Sequence, residues 1–136
     1  MIKTEQVPDN PLPTLRIEVQ NYNRLISLNS DKAVPGIAEI LEHEFNDSKN
    51  IVIMTLLGPN LEEVFNLCNR QFTLKTILYI SIQMFDIFNG FHELHFVHRN
   101  ISPNNFLLDT KSFSNKLYLI NLSFAKSVLD LTGRRL

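Results

Sequence analysis

Phe96-Val-His-Arg-Asn-Ile-Ser-Pro-Asn-Asn-Phe-Leu-Leu108 sets a polar cluster between two apolar ends. After a short polar gap comes the run Lys116-Leu-Tyr-Leu-Ile-Asn-Leu-Ser-Phe-Ala125, which reads as strand-like. The polar cluster therefore reads as a loop feeding back into strand structure, and the rest of the chain is read outward from it.

Immediately upstream, Leu74, Ile77, Leu78, Ile80, Ile82, Met84, Phe85, Ile87, Phe88 and Phe91 predict a long helix starting after Thr73. Nearly every face of it carries a large side chain, so it must be covered on several sides. Gly90, His92 and His95 mark its frayed end, and Ile80, Met84, Ile87 and Phe88 are the residues expected to line any side left bare. Before it, Asn60 caps a short helix over 61–68, with Glu62 and Glu63 in the first turn, where the macrodipole favours negative charge. Gly58-Pro59 breaks the preceding run Ile51-Val-Ile-Met-Thr-Leu-Leu57, a continuous apolar stretch expected to be one buried strand. Residues 46–50 read as a hairpin turn, 37–45 as a short strand and 29–36 as a loop. Apolar residues at three- and four-residue spacing predict a helix over 14–28, with Thr14 as N-cap. Three prolines exclude a helix from 7–13, and Met1-Ile-Lys3 is too short to read as a strand alone. Small β elements followed by larger helices imply an α+β fold, with two layers meeting near Leu57-Gly58.

Composition bounds the function. The 136 residues, 44% hydrophobic and 20% charged, suffice for one core, so one domain is expected. With 13 basic and 14 acidic residues the net charge of -1 offers no field to attract nucleic acid or a lipid surface. A lone Cys68 has no disulfide partner and no metal-ligand spacing, and is expected to be a buried apolar thiol in a reducing compartment. No signal-peptide core and no long apolar span are present, which points to cytoplasm or nucleus. Fifteen asparagines are spread along the chain, a background drift toward Asn.

The loop and the turn beyond it resemble those of a protein kinase. There the loop reads H-R-D-x-K-P-x-N, its Asp accepting the substrate proton and its Asn holding magnesium, and the later D-F-G supplies a second magnesium ligand. The aligned residues are His98, Arg99, Asn100, Ser102 and Asn105, then Asn121-Leu122-Ser123. Leu15-Arg-Ile-Glu18, Met54-Thr-Leu-Leu-Gly-Pro-Asn-Leu-Glu-Glu-Val-Phe65 and Phe72-Thr-Leu-Lys-Thr76 are most similar to the casein kinase I family. The resemblance implies a partial protein kinase fold over 1–136, with a small-lobe remnant over 1–57 and the start of the large lobe over 58–136. It also implies that Lys3, paired with Glu18, contacts nucleotide phosphates. Met54 then limits the depth of the adenine pocket, Thr55, Leu56 and Leu57 form the hinge, and Leu107 is the pocket floor.

The departures from the family pattern decide what activity is expected. Asn100 at the catalytic Asp position cannot take up a proton, and loss of a general base costs about 10²- to 10⁴-fold in rate. Asn121 offers a hard cation a neutral amide in place of a carboxylate. Ser102 replaces the loop lysine, and Ser123 stands where the family uses a glycine turn. The only glycines, Gly36, Gly58, Gly90 and Gly133, form no phosphate-covering loop, and the resemblance covers about half of a kinase domain. The expectation is an inactive casein kinase I-like pseudokinase fragment that acts by binding a protein partner or by self-association, with weak ATP binding and a poor magnesium site at Asn105 and Asn121. The competing expectation is an active serine/threonine kinase of this type, seen as a truncated gene product.

Overall fold

The computed structural model describes residues 1–7, 13–28, 35–110 and 114–129, and these form a mixed α+β fold with small antiparallel sheets. In chain order the elements are β1 (Ile2–Gln6), α1 (Thr14–Leu28), β2 (Ile40–Phe45), β3 (Lys49–Met54), β4 (Leu57–Asn60), α2 (Leu61–Leu67), α3 (Leu74–Glu93), β5 (Phe96–Val97), β6 (Phe106–Asp109), β7 (Leu117–Leu119) and β8 (Lys126–Ser127). Short 3-10 turns span Pro103–Asn105 and Leu122–Phe124. The turn-rich stretch 7–13 and the loop 29–36 fall largely outside the described residues.

The first sheet has the order β1-β3-β2, all antiparallel. Along β3 every second residue is buried, so Asn50, Val52 and Met54 face α1. Residues directly opposite one another in an antiparallel pair share a face. Because Lys3 pairs with Val52 and Glu5 with Asn50, β1 turns its charged side chains inward and leaves Ile2 66% exposed. Ile2 and Lys3, in a stretch too short to read as a strand alone, belong to one because residues 2–6 pair with β3. The Glu5 carboxylate then accepts the N–H of Thr14 (2.9 Å), its hydroxyl (2.8 Å) and the N–H of Leu15 (3.4 Å). The start of α1 is thus capped by a residue of β1, and Thr14 is the first helical residue, not the cap. Burial alone would raise the Glu5 pKa, but these bonds and one from Asn50 outweigh it and hold the carboxyl below its ordinary value.

The expected single strand over 51–57 ends at Met54, and a new one starts at Leu57 in a second sheet of order β4-β6-β7. Gly58 and Pro59 lie inside β4 and do not break it. Proline is tolerated there because β4 is an edge strand whose register slips between Leu57 and Asn60. The strand expected through Ala125 stops at Leu119, because Asn121 turns left-handed (φ 64°) and leads into the Leu122–Phe124 turn. Both helix starts downstream follow local chemistry. Asn60 Oδ1 accepts from Glu63 N while Glu63 Oε2 accepts from Asn60 N, and Thr73 Oγ1 accepts from Thr76 N.

Two apolar clusters result. Leu15 and Val19 of α1 pack with Ala38, Val52, Met54, Leu57, Leu107 and Ile120. Ile87 and Phe91 of α3 pack with Leu25, Phe96, Phe106, Leu117, Leu119 and Leu122, flanked by Ile80, Met84 and Phe88. The residues expected on a bare side of α3 therefore form its core stripe. The exposed stripe is Leu74, Leu78, Ile82 and Phe85, at spacings of four, four and three, with Leu74 71% and Phe85 72% exposed. Gly36 (φ 72°) crosses α3 so closely that a Cβ would lie 2.3 Å from Ile87 Cγ1. Cys68, expected to be buried, is exposed at the end of α2. Among the described residues no helix is long and apolar enough to cross a membrane.

Candidate functional site

A chain of buried and half-buried polar groups joins the first sheet to the turns beside the second. Lys3 enters the interior because its β-register sets it beside Val52, and Glu18 lies on the inner face of α1 beside Leu15 and Val19. The ammonium donates to Glu18 Oε1 (2.8 Å) and Oε2 (3.0 Å), and Glu18 is only 2% exposed. Such a pair loses much solvation and needs further hydrogen bonds to offset the loss. Glu18 Oε1 also accepts the N–H groups of Asn121 (3.1 Å) and Leu122 (3.3 Å), holding the start of the 3-10 turn.

Lys3 donates its third bond to Asn121 Oδ1 at 2.6 Å. An ammonium has no acceptor, so the amide must turn its oxygen toward Lys3 and its NH2 away. That NH2 donates to Asn105 Oδ1 in a short hydrogen bond. Asn105, 4% exposed, passes the sense on, its Nδ2 donating to the Asn100 carbonyl at 2.8 Å while its own carbonyl accepts from Ile120 N at 3.0 Å. Next to this end, buried His98 has Nε2 3.0 Å from the Ile120 carbonyl, and its Nδ1 accepts the Asn100 N–H at 3.3 Å. An accepting Nδ1 fixes the neutral tautomer with the proton on Nε2. Burial pushes the imidazole pKa below its ordinary 6.5, outweighing the hydrogen bonds that oppose the shift.

Of the sequence-derived site residues, Lys3, Glu18, Asn121 and Asn105 are linked through side chains and Asn100 through its backbone. The half-buried Asn100 carboxamide makes no hydrogen bond to a described residue. Ser102 is not part of this chain of bonds. It lines an apolar groove with Phe65, Phe72, Ile77 and Phe106. Met54, Leu57 and Leu107 share one buried cluster. Backbone groups near Met54 are already bonded within the chain: Met54 N to the Met1 carbonyl (2.9 Å), Met54 O to the Met1 ammonium (2.8 Å), and Thr55 N to the Glu39 carbonyl (2.9 Å). The special backbone at the turn falls on Asn121, whereas Ser123, expected to suffer for want of glycine, is not among the left-handed residues.

Sequence reasoning missed Asn21, whose Nδ2 donates to the carbonyls of Leu122 (2.8 Å) and Ala125 (3.0 Å). Its position three residues after Glu18, on the same helical face, is a signal that could have found it. It also missed Asn50, fully buried, which accepts from Arg16 Nε (3.1 Å) and donates to Glu5 (3.0 Å). No protein-family model matches the chain.

Proposed function

We propose that this chain is a catalytically inactive, casein kinase I-like pseudokinase fragment with a partial protein kinase fold, acting by protein binding and retaining weak nucleotide binding. The observation that carries the reading is the linked set Glu18, Lys3, Asn121 and Asn105, drawn from β1, α1 and the two loops in which the kinase resemblance was found. Inactivity is supported by the chemistry of the same set. Asn100 cannot act as a base, and both ring nitrogens of His98 are engaged with backbone. Protein binding is supported by the exposed stripe Leu74, Leu78, Ile82 and Phe85 on α3.

Calorimetric titration with ATP, with and without magnesium, tests the nucleotide claim. Weak binding of nearly equal strength in both is expected, and micromolar, magnesium-dependent affinity overturns it. Transfer of labelled phosphate to casein tests the chemistry, and detectable transfer overturns the inactive assignment in favour of a working serine/threonine kinase.

A further inference from the structure

Magnesium at Asn105 and Asn121 would need oxygen donors converging on one point. The donor set does not fit. Asn121 spends its one side-chain oxygen on Lys3 and directs its NH2 at Asn105 Oδ1. Flipping the amide to free that oxygen would press NH2 against the Lys3 ammonium, donor against donor. Flipping Asn105 would press its oxygen against the Asn100 carbonyl, acceptor against acceptor. The orientation is locked at both ends, and Asn105 is too buried for water to relieve a reversal readily.

We infer that the Asn121 NH2 group takes the place a bound cation would otherwise fill, closing this junction to divalent ions, and that Asn121→Asp opens it as a divalent cation site. In that variant one carboxylate oxygen keeps the bond to Lys3 while the other meets Asn105 Oδ1 with no proton between them. The neighbouring charges make this conflict specific. Lys3 and Glu18 cancel, so an added carboxylate leaves one unbalanced negative charge beside the buried Glu18 and Asn105, which suits a hard divalent cation held by carboxylate and amide oxygens.

The full chain is unfolded thermally in chelator, then in millimolar magnesium chloride or manganese chloride, with no nucleotide present. The wild-type midpoint is expected not to move with either ion. The Asn121→Asp midpoint in chelator should fall by about 4 to 10 °C and recover progressively as either ion is added. Manganese binding by electron paramagnetic resonance should appear in the variant alone. Equal stabilisation of the wild type by the ions, or a variant as stable as wild type and indifferent to them, overturns the inference. If the variant does not fold, the wild type still decides through the side-chain NH2 resonances of Asn121. They should exchange slowly with solvent and stay put when magnesium is added, and fast exchange or a magnesium-dependent shift counts against the locked amide. Because ATP is absent throughout, failure here leaves the nucleotide claim standing, and failure there leaves this one standing.

Discussion

Glu18→Gln keeps the shape of the most buried charged residue among those described and removes only its charge. The mutant oxygen must still accept the N–H groups of Asn121 and Leu122, so the new NH2 takes the other site, 3.0 Å from Lys3 Nζ. Two donors then face one another, and the ammonium keeps as side-chain acceptors only Asn121 Oδ1 and the now uncharged oxygen at the Oε1 site, 2.8 Å away. Breaking one partner of a buried pair costs about 3–5 kcal/mol, and the partial exposure of Lys3 (17% of its side chain) sets the expectation at the lower end, about 3 kcal/mol. Against a total stability of about 5–15 kcal/mol that is a large loss. Urea unfolding should show it as a midpoint shift of roughly 1.5–2 M at an unchanged slope of about 1.5–2 kcal/mol/M. Lys3→Met made in the Glu18→Gln background removes the facing donor, so the double variant should be more stable than the sum of the two single losses implies. A Glu18→Gln midpoint within about 0.3 M of wild type, or strictly additive losses, would refute the claim that this pair is a coupled, desolvated unit.

Two further outcomes follow from packing and burial. On α3, Ile82→Asp with Phe85→Asp should reduce light scattering and binding of a hydrophobic dye while leaving the thermal midpoint within about 2 °C; by contrast Ile87→Asp places a carboxylate in the core and should cost several kcal/mol, about 3 or more. A wild-type chain that is monomeric and dye-silent would remove the basis for a docking face there. For His98 the sign follows from its depressed pKa. Above the usual 6.5 both folded and unfolded forms are neutral, whereas below it the unfolded chain takes up a proton that the folded one resists. Stability should therefore fall as pH drops below about 6.5, and His98→Gln should flatten that part of the profile, with an unchanged profile counting against the buried neutral imidazole.

Local chemistry made part of this fold readable. Asn60 with Glu63, and Thr73 with Thr76, lie within one turn of the helices they start, and α1 was delimited by its own periodicity. What escaped was set by distant partners. Glu5 caps α1 from another element, and β1 owes its inward charges to its pairing with β3. The stripe of α3 that meets the core could not be told from the exposed one, because both are apolar at helical spacing and only the position of Phe96 and Phe106 separates them. Lys3 and Asn121 lie 118 residues apart, and no spacing rule connects them. The family resemblance named both, but gave no hint that the Asn121 amide would run its hydrogen bonds in one direction.

Glu18 and Asn21, one turn apart on α1, hold opposite polarities of the segment from Asn121 to Ala125: the carboxylate takes two of its N–H groups and the amide gives to two of its carbonyls. A segment gripped only by its donors, or only by its acceptors, could slide or rotate while keeping half its bonds. Gripped by both, it has no intermediate displacement that keeps either set, so α1 and this segment separate in one step or stay together. Their backbone amides should therefore share a single opening event in hydrogen exchange, and a fluctuation that lifts α1 should carry with it the end of the polar chain that reaches the Asn100 loop.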